Sequence, residues 1–160
     1  MRRTIAFVLA LLMMFAFAQT ALAHCQVPCG IYDDEMRCDM IEEHIFTIER
    51  AMKSIEELSS AEKLDYNQIV RWVMTKDSHA LEIQSITSEY FMTQRVKPVD
   101  ESGAAYGPYV RRLTLLHEML TYAMKAKQTT DLQYVDRLRD TLKAFRAVYF
   151  DSAKEHDHSG

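Results

Sequence analysis

Apolar residues recur at helical spacing through most of the chain. In residues 34–58 the spacing alternates between four and three, which is typical of a helix with one side packed in a bundle. A second helical segment runs from about residue 61 to residue 94, a third begins after Pro108, and a fourth follows residues 129–131. The sequence has no stretch with the alternation of a strand, so the pattern predicts an all-α chain.

Each predicted helix has one apolar stripe that should face the core. Two polar residues, Lys76 and Thr87, interrupt the second stripe and leave its register open. The inward positions predicted for the four helices in turn are Ile41, Ile45, Ile48, Met52 and Ile55; Tyr66, Ile69, Val73, Ala80, Ile83 and Tyr90; Val110, Leu113, Leu116, Leu120 and Met124; and Leu132, Val135, Leu138, Leu142, Phe145 and Tyr149.

Capping and turn-forming residues separate the predicted helices. Ser60 offers a start for the second helix, residues 129–131 cap the fourth, and residues 95–108 contain two prolines and two glycines. The connections are mostly short, which implies an antiparallel up-down four-helix bundle within one domain of residues 24–154. Residues 155–160 are polar, carry two histidines and are predicted to form a disordered tail.

The start of the chain has the pattern of a signal peptide. Residues 2 and 3 are arginines, residues 5–18 are apolar, and residues 21–23 are the small-x-small sequence that signal peptidase accepts. The apolar run is shorter than the ~20 residues that a membrane span needs. We therefore predict that residues 1–23 are removed and that the protein is exported, to the periplasm or outside the cell. Two alternatives to this cleavage stay open: an uncleaved membrane anchor and a lipoprotein acylated at Cys25. The export route, general or twin-arginine, also stays open.

The net charge excludes some classes of partner. The formal charge is −4 at pH 7, and it becomes −6 when cleavage removes two arginines and no acids. An acidic surface argues against binding to nucleic acid or to an anionic membrane. It also exerts no overall attraction on a small anion, so any such attraction must be local.

Cleavage at the predicted position would give His24 a free amine directly before a cysteine. The amine, with the amide nitrogen and thiolate of Cys25, can form two fused five-membered chelate rings, and the Cys29 thiolate can complete a square. Pro28 favours the chain reversal that this needs, and Gly30 allows the backbone to leave the site. Planar coordination favours nickel(II) or copper(II) over zinc, and thiolates tend to reduce copper(II). An axial imidazole and anionic donors suit a nickel ion that cycles between the oxidation states +2 and +3.

The cysteines also allow an interpretation without a metal. Three cysteines are an odd number for an exported protein, and a disulfide between Cys25 and Cys29 is the alternative to metal binding. Cys38 is predicted to be a helix residue with no partner in the chain, although an intermolecular disulfide stays open.

The stretch His24-Cys25-x-x-Pro28-Cys29-Gly30-x-Tyr32-Asp33 resembles the metal hook of nickel-containing superoxide dismutase. We call residues 24–32 the hook. Residues 88–91, Ser-Glu-Tyr-Phe, followed by Lys97-Pro98, are similar to the Asp-Tyr-Phe-Lys-Pro region of that family. The predicted four-helix bundle also agrees with this resemblance across the mature chain.

The resemblance implies a role for each hook residue. His24 would supply its amine and an axial imidazole, Cys25 its amide nitrogen and sulfur, and Cys29 its sulfur, all to one nickel ion. Tyr32 would lie over the open face of the metal and order water or an anion there. Tyr90 would support Tyr32 by hydrogen bonding.

Two further contacts of the family are harder to align. Glu42 is the match for the carboxylate that orients the axial histidine, provided that two extra residues are placed before it. The arginine that the family uses around its second helix could correspond to Arg71 or be replaced by His79, and the sequence leaves that choice open.

The activity that the resemblance implies is disproportionation of superoxide to dioxygen and hydrogen peroxide, in an assembly of six identical subunits. The other hypothesis from the residues is an exported nickel or copper carrier that uses the same donors without turnover.

Overall fold

The computed structural model describes the backbone of residues 30–157 and the side chains of residues 30–150. Within that part the chain is helical and has no strand, which confirms the all-α prediction. Its elements are α1 (Asp34–Ser59), α2 (Tyr66–Ser85), the π-helix π1 (Ile86–Arg95), α3 (Tyr106–Gln128) and α4 (Gln133–Asp157). Helix α4 thus includes the first three residues of the predicted tail, and residues 158–160 lie outside the described part.

The chain divides into two units, Met1–Ile31 and Tyr32–Gly160, and every element named above belongs to the second. Only Gly30 and Ile31 of the first unit are described. Gly30 has a φ of +75°, in the left-handed region that glycine adopts without strain. The predicted signal peptide and hook residues 24–29 lie outside the described residues.

Aspartate side chains cap the starts of α1, α2 and α4. Oδ1 of Asp65 accepts a 3.1 Å hydrogen bond from the Gln68 N–H, so α2 begins after Asp65 and the predicted start at Ser60 is wrong. Ser60 ends α1 instead, because its N–H and its hydroxyl donate to the Glu56 carbonyl oxygen at 3.1 and 2.8 Å. The predicted cap of the last helix is confirmed, since Asp131 Oδ1 accepts from the first N–H of α4 at 2.9 Å.

Each helix packs against two others. Helix α1 contacts α2 and α4, and α3 contacts the same two helices. Segment π1 follows α2 directly and contacts α3. Two fully buried phenylalanines, Phe91 of π1 and Phe145 of α4, meet at 4.9 Å between ring centroids in an edge-to-face arrangement. The resulting core is a helical bundle, as the apolar pattern predicts.

The inward residues predicted for α1 and for most of α4 are confirmed. On α1 all five are buried, and on α4 the middle four are buried. Leu132 is 37% exposed and Tyr149 is partly buried, so this stripe holds best at its centre. The confirmed positions are Ile41, Ile45, Ile48, Met52 and Ile55 of α1 and Val135, Leu138, Leu142 and Phe145 of α4.

The positions predicted for α3 are confirmed in part. Leu116 is buried and Leu113 packs against the core as predicted, but Val110 and Met124 are exposed. The other buried residues are Leu115, Met119, Ala123 and Ala126, and alanines carry little hydrophobic signal in a sequence. On α2, Ala80, Ile83 and, farther on, Tyr90 are buried as predicted, but Tyr66 and Val73 are exposed.

Lys76, which interrupts the predicted stripe of α2, is buried for a structural reason. Its ammonium donates to the carbonyl oxygens of Ala126 and Lys127 at 2.8 and 2.6 Å and to Asp77 Oδ1 at 3.0 Å. These two carbonyl groups end α3, where helical hydrogen bonding leaves them without intrahelical donors and the helix dipole favours a cation. Lys76 therefore joins α2 to the end of α3.

Lys76→Met should lower the free energy of unfolding by about 1.5–3 kcal/mol, the usual value of hydrogen bonds to a charged group. Urea unfolding followed by circular dichroism measures the change. Lys125→Met is the matched control, because Lys125 lies in the same last turn of α3 but is exposed, and it should change stability by less than about 0.5 kcal/mol. Equal effects of the two substitutions would show that the buried contact is unimportant.

Cys38 lies fully buried on α1 as a free thiol. Burial, its largest influence, raises the pKa of this thiol to about 12, so it stays protonated at neutral pH. A disulfide to another molecule is not accessible to it in the folded protein.

Among the helices in the described part of the chain, none combines the length and the apolarity that crossing a membrane requires.

Candidate active site

The structure describes three of the six site residues that the sequence predicts. Tyr32, Tyr90 and Glu42 are described, whereas His24, Cys25 and Cys29 lie outside residues 30–157. Among the described residues, no group of three or more histidine, cysteine or acidic side chains could hold a metal ion.

Tyr32 and Tyr90, which are 58 positions apart in the chain, lie in contact. Their ring centroids are 6.0 Å apart and the rings are inclined at 65°, an edge-to-face arrangement. Tyr32 is 45% exposed and Tyr90 only 3% exposed. The contact joins ring to ring, because the Tyr90 hydroxyl is engaged elsewhere: it accepts from the Asp33 N–H at 3.0 Å and donates to Asp34 at 2.6 Å.

Asp34, the first residue of α1, accepts hydrogen bonds from side chains of two other elements. Tyr90 and Arg95 reach it from π1, and the Tyr149 hydroxyl reaches it from α4 at 2.8 Å. Burial acts to raise the pKa of Asp34, but the hydrogen bonds from Arg95, Tyr90 and Tyr149 outweigh it and hold the pKa below its usual 3.8. Asp34 is therefore an ionised carboxylate that connects three parts of the bundle.

Arg95 has two partners on the same side of the bundle. Its guanidinium binds Asp34 in a bidentate manner, with Nε–Oδ1 and Nη2–Oδ2 distances of 2.8 Å. The guanidinium carbon also lies 4.3 Å from the centroid of the Tyr32 ring, within the range of a cation–π interaction. The bond to Asp34 is the largest influence that raises the pKa of Arg95, which stays charged.

The π-helical geometry explains why Tyr90 and Arg95 face the same way. Residues five apart in an α-helix lie about 140° apart around the axis, because each residue turns the chain by about 100°. In a π-helix the hydrogen bonds join residues five apart, as from the Val96 N–H to the Phe91 carbonyl at 2.8 Å, and such residues lie on the same side of the helix. Both side chains of π1 can therefore reach the start of α1.

Tyr90 is fixed in its protonated form. Burial first, and then the bond to Asp34, raise the pKa of Tyr90 to about 12. The Tyr90 ring belongs to an aromatic cluster, in which the Phe91 ring contacts Tyr90 at 5.1 Å and Tyr149 at 5.5 Å between centroids. This packing holds the tyrosine pair from the core side.

Glu42 lies eight residues beyond Asp34 on α1, about 12 Å along the helix axis. Its side chain is 70% exposed, and its carboxylate lies 3.5 Å from the Arg146 guanidinium of α4. Arg146 binds Asp39 more closely, at 2.5 Å. The contact predicted between Glu42 and His24 involves a residue outside the described part, so it stays a prediction.

The two candidates for the family arginine lie on α2, away from the Asp34 contacts. Arg71 is exposed. His79 pairs with His44 of α1, with their Nδ1 atoms 2.8 Å apart. The arginine that contacts Tyr32 is Arg95, which the sequence interpretation missed together with Asp34 and Tyr149. One signal could have found Asp34 and Arg95: an acidic residue directly after the hook and a basic residue just before the Lys97-Pro98 pair.

The histidine pair makes stability depend on pH. Burial first, and then the neighbouring His79, lower the pKa of His44 below 6.5, although Glu82 and Glu43 act in the opposite direction. Unfolded His44 then binds a proton more readily than folded His44. The contribution of His44 to the free energy of unfolding is therefore complete above pH 6.5 and is lost as the pH falls.

His44→Asn should therefore flatten the loss of stability between pH 7.5 and pH 5.5, measured by urea unfolding. One proton taken up on unfolding corresponds to at most about 1.4 kcal/mol per pH unit. His117→Asn, a change at an exposed histidine on α3, should keep the full pH dependence. If His44→Asn and the unmodified protein lose stability equally, the pair is not the cause.

Comparison with known protein families covers most of the chain. The family model described as nickel-containing superoxide dismutase matches residues 19–153, which include the hook and nearly all of the four helices. Comparisons with curated proteins and with solved structures gave no match. Since the family model matches most of the sequence, the chain belongs to the nickel-containing superoxide dismutase family.

Proposed function

We propose that this nickel-dependent superoxide dismutase holds its metal in the hook, after cleavage behind residue 23 gives His24 a free amine. The observation that carries the proposal is a family match that includes the hook and continues into the helices. The donors fit nickel by their chemistry, because an amine, an amide nitrogen, an imidazole and two thiolates are nitrogen and soft sulfur ligands that would hold such an ion.

The nickel ion, when bound, supplies the one-electron chemistry that turns two superoxide ions and two protons into dioxygen and hydrogen peroxide. His24, Cys25 and Cys29 are the residues that would hold it. Tyr32 lies three residues after Cys29 and is half-exposed, so it can order water at the edge of the site. Its own hydroxyl, unlike that of Tyr90, is not committed to Asp34 in the described contacts.

Tyr90 serves as support and not as a proton source in this proposal. Its pKa of about 12 keeps the phenol protonated, and its proton lies in the 2.6 Å bond to Asp34. The protons that peroxide needs would instead come from water held near Tyr32. In this proposal Tyr32 and Tyr90 orient groups around the metal, and the metal carries out the electron transfer.

The mature enzyme itself provides the test. N-terminal sequencing should begin at His24, metal analysis should find one nickel ion per chain, and the oxidised protein should give the electron paramagnetic resonance signal of axial nickel(III). Superoxide decay, followed after pulse radiolysis, should be fast only in the nickel-loaded form. Full activity in a chain that begins elsewhere would contradict the proposed ligand set.

We also propose an antiparallel up-down order of the helices and a homohexamer of this chain. Short connections and the contacts of α1 with α2 and α4 support the helix order. Exposed apolar residues four apart on α2 support assembly: Tyr66 is 70%, Val70 55% and Met74 66% exposed. Light scattering should give six times the subunit mass, and a monomeric mass would contradict the hexamer.

We further propose that the protein acts after export, in the periplasm or outside the cell. The signal-peptide pattern of residues 1–23 supports this location. Cell fractionation with detection of the mature chain tests it, and a cytoplasmic chain that retains residues 1–23 would contradict it.

A further inference from the structure

We propose that Arg95 is a positioning residue for Tyr32, and that Asp34 holds Arg95 in place for this role. The inference rests on the proposed function in one respect, namely that Tyr32 lies at the edge of the metal site. Arg95 itself needs no contact with the metal or with superoxide. It acts through the ring of Tyr32.

The first step is that Asp34 is a fixed anchor. Its side chain is only 16% exposed and accepts hydrogen bonds from Tyr90 of π1 and Tyr149 of α4 as well as from Arg95. Because both hydroxyls come from a packed aromatic cluster, the carboxylate has little freedom to move. A bidentate guanidinium bound to such a carboxylate is held in its plane as well as in its position.

The second step is that Tyr32 depends on this guanidinium. Tyr32 precedes α1 and is 45% exposed, so helical hydrogen bonding does not hold it and the core covers only part of it. Its ring meets Tyr90 only edge-on, at 6.0 Å, whereas the Arg95 guanidinium lies 4.3 Å from its centroid. The closer of the two contacts is therefore the one with Arg95, and it comes from a planar group that can lie against the ring.

The third step concerns the sequence that places Arg95. The residues that resemble the family pattern are split here, with Tyr90-Phe91 on one side and Lys97-Pro98 on the other, and Arg95 lies in the stretch between them. That stretch belongs to π1, whose five-residue hydrogen bonding puts Arg95 on the same side as Tyr90. The π-helix thus gives the tyrosine pair a cation that an α-helix of the same sequence would turn away.

The experiment compares two substitutions with a matched control. Arg95→Gln removes the charge and the bidentate bond, and Arg95→Lys keeps the charge but loses the planar fork. Arg146→Gln is the control, because Arg146 is similarly exposed, at 28% against 30%, and also binds acids of α1. Fluorine NMR of the reduced, nickel-loaded enzyme containing 3-fluorotyrosine reports on each ring, and Tyr32→Phe identifies the Tyr32 resonance.

In Arg95→Gln we expect the Tyr32 resonance to narrow and to move toward that of free 3-fluorotyrosine, with Arg95→Lys intermediate and Arg146→Gln unchanged. The resonance of Tyr134, which packs against the core at the start of α4 and is identified by Tyr134→Phe, shows whether the fold is intact. An unchanged Tyr32 resonance in both Arg95 variants, with Tyr134 also unchanged, would overturn the proposal.

Activity supplies the second readout. Arg95→Gln should slow superoxide decay about tenfold at unchanged nickel content, as expected for a residue that orients a neighbour of the metal. In a Tyr32→Phe background, Arg95→Gln should slow superoxide decay no further, because Arg95 acts by positioning the Tyr32 hydroxyl, which that background lacks. Additive losses would overturn the positioning role. If Tyr32→Phe alone is fully active, the role proposed for Tyr32 fails, while the NMR result still decides whether Arg95 holds the ring.

Discussion

Cys25→Ser and Cys29→Ser should each reduce superoxide decay to the uncatalysed rate. An alcohol is not deprotonated at neutral pH and is a hard donor, so it cannot replace the soft anionic sulfur that planar nickel coordination needs. Nickel content, measured by mass spectrometry of the purified variant, should fall with activity. Pulse radiolysis provides the rate.

The chain carries its own control for this prediction. Cys38→Ala replaces a cysteine that lies buried on α1 as a free thiol. It should lower the free energy of unfolding by about 1 kcal/mol and leave nickel content and activity unchanged. Full activity in either hook variant, or an inactive Cys38→Ala enzyme that is folded and nickel-loaded, would contradict the assignment of ligands.

Insertion of one alanine before His24 should remove nearly all activity, although every side chain of the hook is kept. The terminal amine then belongs to the alanine, and the His24 nitrogen becomes an amide. The two five-membered chelate rings that end at Cys25 can no longer form with the amine, so the donor set and its geometry both change. We expect a loss of at least about 100-fold, the upper range for residues that only support metal ligands.

This insertion separates the metal hypothesis from a disulfide, because a Cys25–Cys29 disulfide would form equally well in the longer chain. The mass of the mature variant must show that cleavage left the alanine in place. Gln26→Ala is the control, since it alters the hook at a residue that supplies no side-chain donor in the proposal, and it should keep most of the activity. A fully active insertion variant with the alanine retained would refute the role of the terminal amine.

The bundle could be predicted from sequence where one stripe of apolar residues was unambiguous. The apolar residues 41, 45, 48, 52 and 55 of α1 recur at a regular alternation of four and three, and all of them are buried. On α3 the adjacent Leu115 and Leu116 are both buried, so the side that faces the core is wider than the single predicted stripe, which missed Met119 and the two alanines. Lys76 shows the same limit, because the carbonyl groups that bind it are 50 and 51 positions away.

The hook can be proposed from sequence because its donors and Tyr32 lie within nine consecutive residues, and the roles of His24, Cys25 and Cys29 stay a prediction because those residues lie outside the described part. The contacts that hold Tyr32 could not be predicted. Asp34 and Arg95 are 61 positions apart, and their pairing depends on π1, whose hydrogen bonding differs from that of α2 although the two helices are continuous in the chain. Tyr149 was correctly placed in a helix, but its bond to Asp34 depends on how α4 lies against α1.

The burial of Cys38 bears on the order of events during maturation. Three thiols in an unfolded chain can pair in three ways, and two of these pairings involve Cys38 and would keep it from its buried position on α1. Once Cys38 is packed, only the Cys25–Cys29 pairing can compete with metal, and a small ring of that kind is readily reopened by reductants. In an oxidising compartment, early formation of the bundle would therefore protect the capacity of the chain to be metallated later.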